Sequence, residues 1–165
     1  MSKKKPTPKE GLTSIETDAI GEILNISMGA SATAVSILLN QTVSITTPQV
    51  TLVEPGRFEY SNLEPAVGIE IEYIDGLHGT NIMIMSIKDV RRIVGLLIGD
   101  DSMADSNEDL DEMHVSALGE IMNQMMGAAC TALASMLNVQ INISTPKPFD
   151  LDELPNYFTE DMPAF

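Results

Sequence analysis

Apolar residues recur at helical spacing from the start of the patterned region. Ile15, Ala19, Ile20, Ile23 and Leu24 follow Thr13-x-x-Glu16, a spacing that caps a helix because each side chain accepts from the other residue's backbone amide. The pattern predicts a helix to about Leu39, with Asn40 ending it. A second long helix is expected from near Glu108, after Ser106 and Asn107, to Asn138. A short β-like stretch follows each helix, at residues 42–47 (extended by 50–53) and at residues 140–145. Between the helices, residues 66–74 alternate as a strand. They are expected to pair with residues 80–87 across the turn cluster Asp75-Gly76-Leu77-His78-Gly79. Residues 88–98 are amphipathic and close at Gly99.

The chain also matches itself. Shifted by 98 residues without gaps, positions 18–48 superpose on 116–146, and 15 of the 31 pairs are identical. Gly21/Gly119, Glu22/Glu120, Asn25/Asn123, Gly29/Gly127, Asn40/Asn138 and Pro48/Pro146 are among them. Two copies are too few for a solenoid, so a pseudo-two-fold domain is expected. Small residues at the middle of each helix, around Gly29 and Gly127, are read as points of close packing. The fold class is α/β (α+β), with two long helices on an antiparallel sheet.

The second copy lacks a counterpart of the hairpin and of the helix that closes it. Residues 1–11 are read as a disordered basic tail and 12–148 as the domain. Within it, the first repeat covers 12–99, an acidic connection 100–108 and a partial second repeat 109–148. Residues 149–165 are read as an acidic tail or the start of a missing segment. The expectation is a fragment with an open sheet edge, to be covered by a partner strand, a second subunit or further chain.

Composition narrows the function. Of 165 residues, 9 are Lys or Arg and 24 are Asp or Glu, a net charge of −15. Lys3, Lys4, Lys5 and Lys9 precede every acid, so the rest carries five basic against 24 acidic residues, a net −19. That balance counts against nucleic acid and favours a partner with a basic surface. One cysteine, Cys130, and two distant histidines, His78 and His114, leave no cysteine-rich or histidine-rich metal set. No leader peptide and no apolar run of about 18 residues is evident, which reads as cytoplasmic with no transmembrane segment.

The candidate chemistry lies in the repeat. Glu22/Asn25 and Glu120/Asn123 each place a carboxylate and a carboxamide on one helix face, with Asp18 or Ser116 one turn earlier and Pro48 or Pro146 downstream. An Asn has no proton-transfer pKa near neutrality, so it is no general base, but it can fix the direction of a water. A carboxylate beside it would repel a phosphoryl group unless it clamps a Lys or Arg of a partner. The pair suits a helix that presses into another protein's phosphorylated pocket.

These motifs, with the segments TDAIGEILN at residues 17–25 and NQMMG at 123–127, resemble the CheC-type phosphatases of bacterial chemotaxis. Residues 31–50 look closest to the flagellar-switch branch, the FliY proteins. The resemblance spans roughly residues 12–148. It implies hydrolysis of the aspartyl phosphate on the response regulator CheY, with Glu22 and Glu120 gripping a regulator lysine. Asn25 and Asn123 would orient water beside the regulator's own magnesium, with no cofactor or metal held by this chain. Possession of both motifs implies two active faces. Residues 1–11 lack the regulator-binding peptide of FliY proteins, and the switch-assembly domain of that branch is absent. The competing reading is a switch scaffold at the flagellar basal body that binds the regulator or ring proteins without hydrolysis. A small-molecule sensor is a third class, for which no polar constellation is present.

Overall fold

The computed structural model describes residues 12–51, 53, 65–100, 102–103 and 110–157. The first long helix, α1 (Ser14–Leu39), begins with the expected capping box. The Glu16 amide donates to Thr13 Oγ1 at 3.3 Å, and the Thr13 amide donates to Glu16 Oε2 at 2.8 Å. Its counterpart α3 (Glu112–Leu137) starts and ends 98 residues later, so the repeat is in register at both ends. Asn40 and Asn138 terminate the pair in the left-handed region, φ 49° and 54°, which asparagine tolerates better than most residues.

The start of α3 differs from the expected Glu108. Asp111 is the cap, accepting from the His114 amide at 2.9 Å, while the Asp111 amide donates to His114 Nδ1 at 3.2 Å. A histidine thus takes the place that glutamate holds in α1. The capping competence of Asp111 was masked by the run of acids before it, which reads equally well as helical first turn.

Strand β1 (Ala66–Asp75) is the centre of the sheet. The hairpin partner β2 (Gly79–Ser86) runs antiparallel along one side, from Ala66↔Ser86 to Tyr73↔Gly79. The other side of β1 is shared end to end by two short strands. Strand β3 (Asn142–Ile143) meets Tyr73 and Asp75, and β4 (Lys147–Asp150) pairs with Val67 to Glu70. Helix α2 (Ile87–Ile98) follows β2 directly, capped by Ser86 and closed by Gly99 at φ 77°.

Three expectations change here. Residues 42–47 are not a strand, whereas part of 140–145 is. The segment read as an acidic tail from residue 149 is structured through Tyr157. Phe149 lies across Gly68 in the sheet, and a 3₁₀ helix (Leu151–Tyr157) buries Leu151 and Leu154. Those two leucines supply the apolar burial that a tail would lack. Finally, α1 is long and apolar enough in composition to cross a membrane. In the structure it buries Ser27, Ser31, Ala32, Val35 and Leu39, and it packs chiefly on α3. The basic stretch 1–11 and most of the acidic connection lie outside the described residues.

The main core sits between sheet and helices. Ile69 and Ile71 alternate inward from β1 to meet Val90 and Val94 of α2 and Leu118, Ile121 and Met122 of α3, all at 0–1% exposure. The helix crossing is close, but not at the glycines: a Cβ on Gly29 or Gly127 would meet no atom of another described element within 4 Å. Instead Ser31 Oγ donates to the Met125 carbonyl of α3 at 2.8 Å, with the Ser27 carbonyl at 3.2 Å. The crossing leaves the opposite side of α1 open, and the motif lies towards that side.

Candidate functional site

Helical geometry divides α1 into three bands. The core side carries Ser27, Ser31, Val35 and Leu39, as above. One flank carries Asp18, Gly21, Glu22 and Asn25. The side opposite the core carries Ile15, Ile26 and Ile37, spaced by eleven residues and therefore nearly superposed down the helix axis.

The flank forms one wall of an open groove. Thr17, Asp18, Gly21, Glu22 and Asn25 face Thr47, Pro48, Gln49, Val50 and Thr51. The chain leaves α1 at Asn40 and is tied back where the Val43 amide donates to Ser36 Oγ at 2.9 Å. It then returns so that Val50 lies over Gly21, where an added Cβ would stand 3.7 Å from Val50 Cγ2. Asp18, Glu22, Asn25 and Pro48, singled out from spacing, are thus brought together. Asp18 and Glu22 are exposed and Asn25 is half-buried. Thr47, Gln49, Val50 and Thr51 were missed. Their one signal was Pro48, which lies in the segment that returns over α1; the matching Pro146 is followed by no such return.

The second copy is built differently. Ser116, Glu120 and Asn123 are all exposed along α3. Pro146 is buried, and the residues after it enter the sheet as β4 instead of returning over the helix. A Cβ on Gly119 would meet no described atom within 4 Å, so no described residue forms a wall over the helix there. Glu120 Oε1 also accepts from Gln124 Nε2 at 2.9 Å. The matching residue in α1 is Ile26, which offers Glu22 no donor.

The chemistry available is binding and positioning. Among the described residues no cluster of three or more His, Cys, Asp or Glu could hold a metal ion. Cys130 is buried, and burial pushes its thiol up, away from the thiolate a nucleophile needs. Asp100, in the acidic connection, is held low by the Ser102 hydroxyl at 2.6 Å and the Ser102 amide at 3.0 Å, a local turn contact remote in sequence from either motif. What remains at the groove is two exposed carboxylates, a half-buried carboxamide and a preformed wall.

The CheC-like family model matches residues 15–52 and 113–147, the two helices with their following segments. The flagellar motor switch phosphatase FliY of Bacillus subtilis is 42% identical over 154 residues, covering 93% of this chain. The chain spans 40% of that relative's length. The CheY-P phosphatase CheC of Bacillus subtilis is 30% identical over 142 residues, covering 83% of this chain and 67% of that protein. The crystal structure of Thermotoga maritima FliY superposes with a TM-score of 0.75 at 37% identity, covering 93% of this chain and 79% of that one.

Proposed function

The chain belongs to the CheC-like family, and from that premise we propose that it dephosphorylates the aspartyl phosphate of a CheY-type response regulator. The observation that carries the reading is the groove on α1, where Asp18, Glu22, Asn25 and Pro48 converge. The naming of two relatives as phosphatases, one of them for CheY-P, supports the same reaction.

The proposed step needs little from this chain. Glu22 pairs with a lysine at the rim of the regulator's pocket, a charge-assisted contact that sets the docking angle. The Asn25 carboxamide enters the pocket, accepting from an attacking water and donating to its surroundings, so that the water lies in line with the acyl-phosphate bond. The water oxygen bonds to phosphorus as the acyl oxygen–phosphorus bond breaks. The products are inorganic phosphate and the restored aspartate carboxylate. Magnesium held by the regulator would supply the charge neutralisation at the phosphoryl oxygens. Glu120 and Asn123 carry the same pair on α3, with Asp18 and Ser116 as neighbouring polar support. The expected setting is the flagellar switch, where the products of this reaction would change motor signalling.

The test follows decay of acetyl-phosphate-loaded CheY-type regulator with wild type, Asn25→Ala, Asn123→Ala and the double variant. Wild type should accelerate decay, and the double variant should return it to the spontaneous rate. Wild-type decay as slow as with no protein added would overturn the reading. Retained binding without acceleration would favour the scaffold role.

A further inference from the structure

We propose that the two sites are inequivalent, with the α1 face dominant because Ile26 and the 47–51 wall make it a docking surface that has no counterpart on α3 among the described residues. This rests on the phosphatase reading above, and it concerns how strongly each face holds the phosphorylated receiver.

The repeat pairs the two helices residue by residue. Ile15, Ile26 and Ile37 on α1 correspond to Met113, Gln124 and Ser135 on α3. The stripe opposite the core is therefore aliphatic at all three positions in one copy and polar at two in the other. Ile15, Ile26 and Ile37 are 79%, 42% and 77% exposed. Ile26 lies one helical turn beyond Glu22, where side chains four apart are neighbours about 5–6 Å from Cβ to Cβ. A body that grips Glu22 therefore comes within reach of Ile26. On α3 the same body meets Gln124, whose amide already holds Glu120.

The wall adds to the difference. Thr47 to Thr51 rise beside Asn25, with Val50 seated on Gly21, so the receiver meets a groove already formed. At α3 the corresponding residues run away as β4. Preformed surface lowers the ordering cost of docking.

Magnitudes rank the contributions. Covering the exposed part of Ile26 corresponds to roughly a three- to tenfold gain in affinity at the transfer value for aliphatic side chains. Releasing Glu120 from an exposed amide four residues away accounts for about twofold at most. The apolar contact therefore outweighs the hydrogen bond.

The experiment exchanges the two residues in single-site backgrounds. With Asn123→Ala only α1 acts, and with Asn25→Ala only α3 acts. The α1-only protein should have the higher kcat/KM on the acetyl-phosphate-loaded regulator, by at least about threefold. Adding Ile26→Gln to it should raise KM about three- to tenfold with kcat little changed. Adding Gln124→Ile to the α3-only protein should lower its KM. Equal kcat/KM for the two single-site proteins, or exchanges that leave both KM values unmoved, would overturn the proposal. So would a change in oligomeric state on Ile26→Gln, seen by light scattering, with KM unchanged, since the stripe would then join copies of the chain. Should wild type fail to hydrolyse, α1-only and α3-only proteins made instead with Glu120→Lys and Glu22→Lys, which block docking at the other face, are titrated with beryllofluoride-loaded regulator. Tighter binding by the α1-only protein would uphold inequivalence although the phosphatase reading had fallen, and equal binding would refute it.

Discussion

Gly76 turns the β1–β2 hairpin at φ +79°, and a Cβ there would collide with the Gln140 carbonyl oxygen at the α3–β3 junction. The left-handed conformation alone costs an alanine about 1–2 kcal/mol, and displacing that carbonyl adds a steric cost. Gly76→Ala should therefore lose about 2–4 kcal/mol, a fall of roughly 5–12 °C in Tm by circular dichroism for a chain of this size. Gly29→Ala is the control with the opposite sign. Its site is helical and open, so it should gain about 0.5–1 kcal/mol. A melting point unmoved by Gly76→Ala would mean that the junction is not packed on the turn. The turn itself was legible, because Asp75-Gly76 between alternating runs is a local signal. The contact with Gln140 was not, since 64 positions separate the residues and no local pattern records it. The same limit hid the groove wall: spacing put Glu22 and Asn25 on one face, but what stands opposite them is a tertiary fact.

At the scale of elements, duplication predicts more similarity than the chain keeps. The helices obey it to the residue, since caps and apolar periodicity are local and survived together. The segments that follow do not, although Ser44-Ile45-Thr46 and Asn142-Ile143-Ser144 are near equivalents in composition. Strand formation depends on what lies alongside. The second segment meets β1, where the Ser144 amide donates to the Glu72 carbonyl at 2.9 Å and the Glu72 amide donates to Ser144 Oγ at 3.0 Å. The first has no strand beside it among the described residues, and its residues 44–47 are exposed. Hydrogen exchange should separate them. The Ser144 amide should exchange more slowly than the Thr46 amide by roughly 10²-fold or more. Equal protection would show that residues 42–47 find a strand partner in solution. The sequence displayed two matching β-like runs, and only the sheet decides which becomes a strand. The 3₁₀ segment was lost for a related reason. Its acids and Pro155 looked like a tail, while Leu151 and Leu154 reach the core only once β4 has joined β1.

For the whole molecule the governing quantity is charge. A net −15, or −19 beyond the lysines of the first nine residues, sets up a field that acts before any contact forms. Glu22 is one carboxylate among 24 acids, so the docking role proposed for it is local and the field's is collective. The two are separable by kinetics. If a basic surface of the regulator is drawn in by the field, the association rate should fall several-fold between about 10 and 150 mM salt. Over that range the screening length shrinks from about 30 Å to about 8 Å. Glu22→Gln removes a single charge from that field, so it should barely change the association rate. It should instead speed dissociation by roughly tenfold, as expected for loss of one charge-assisted contact at a partly exposed site. Stopped-flow binding of beryllofluoride-loaded regulator measures both rates. An association rate indifferent to salt would confine electrostatics to the pair at Glu22, and a dissociation rate indifferent to Glu22→Gln would leave the carboxylate without a lysine to hold.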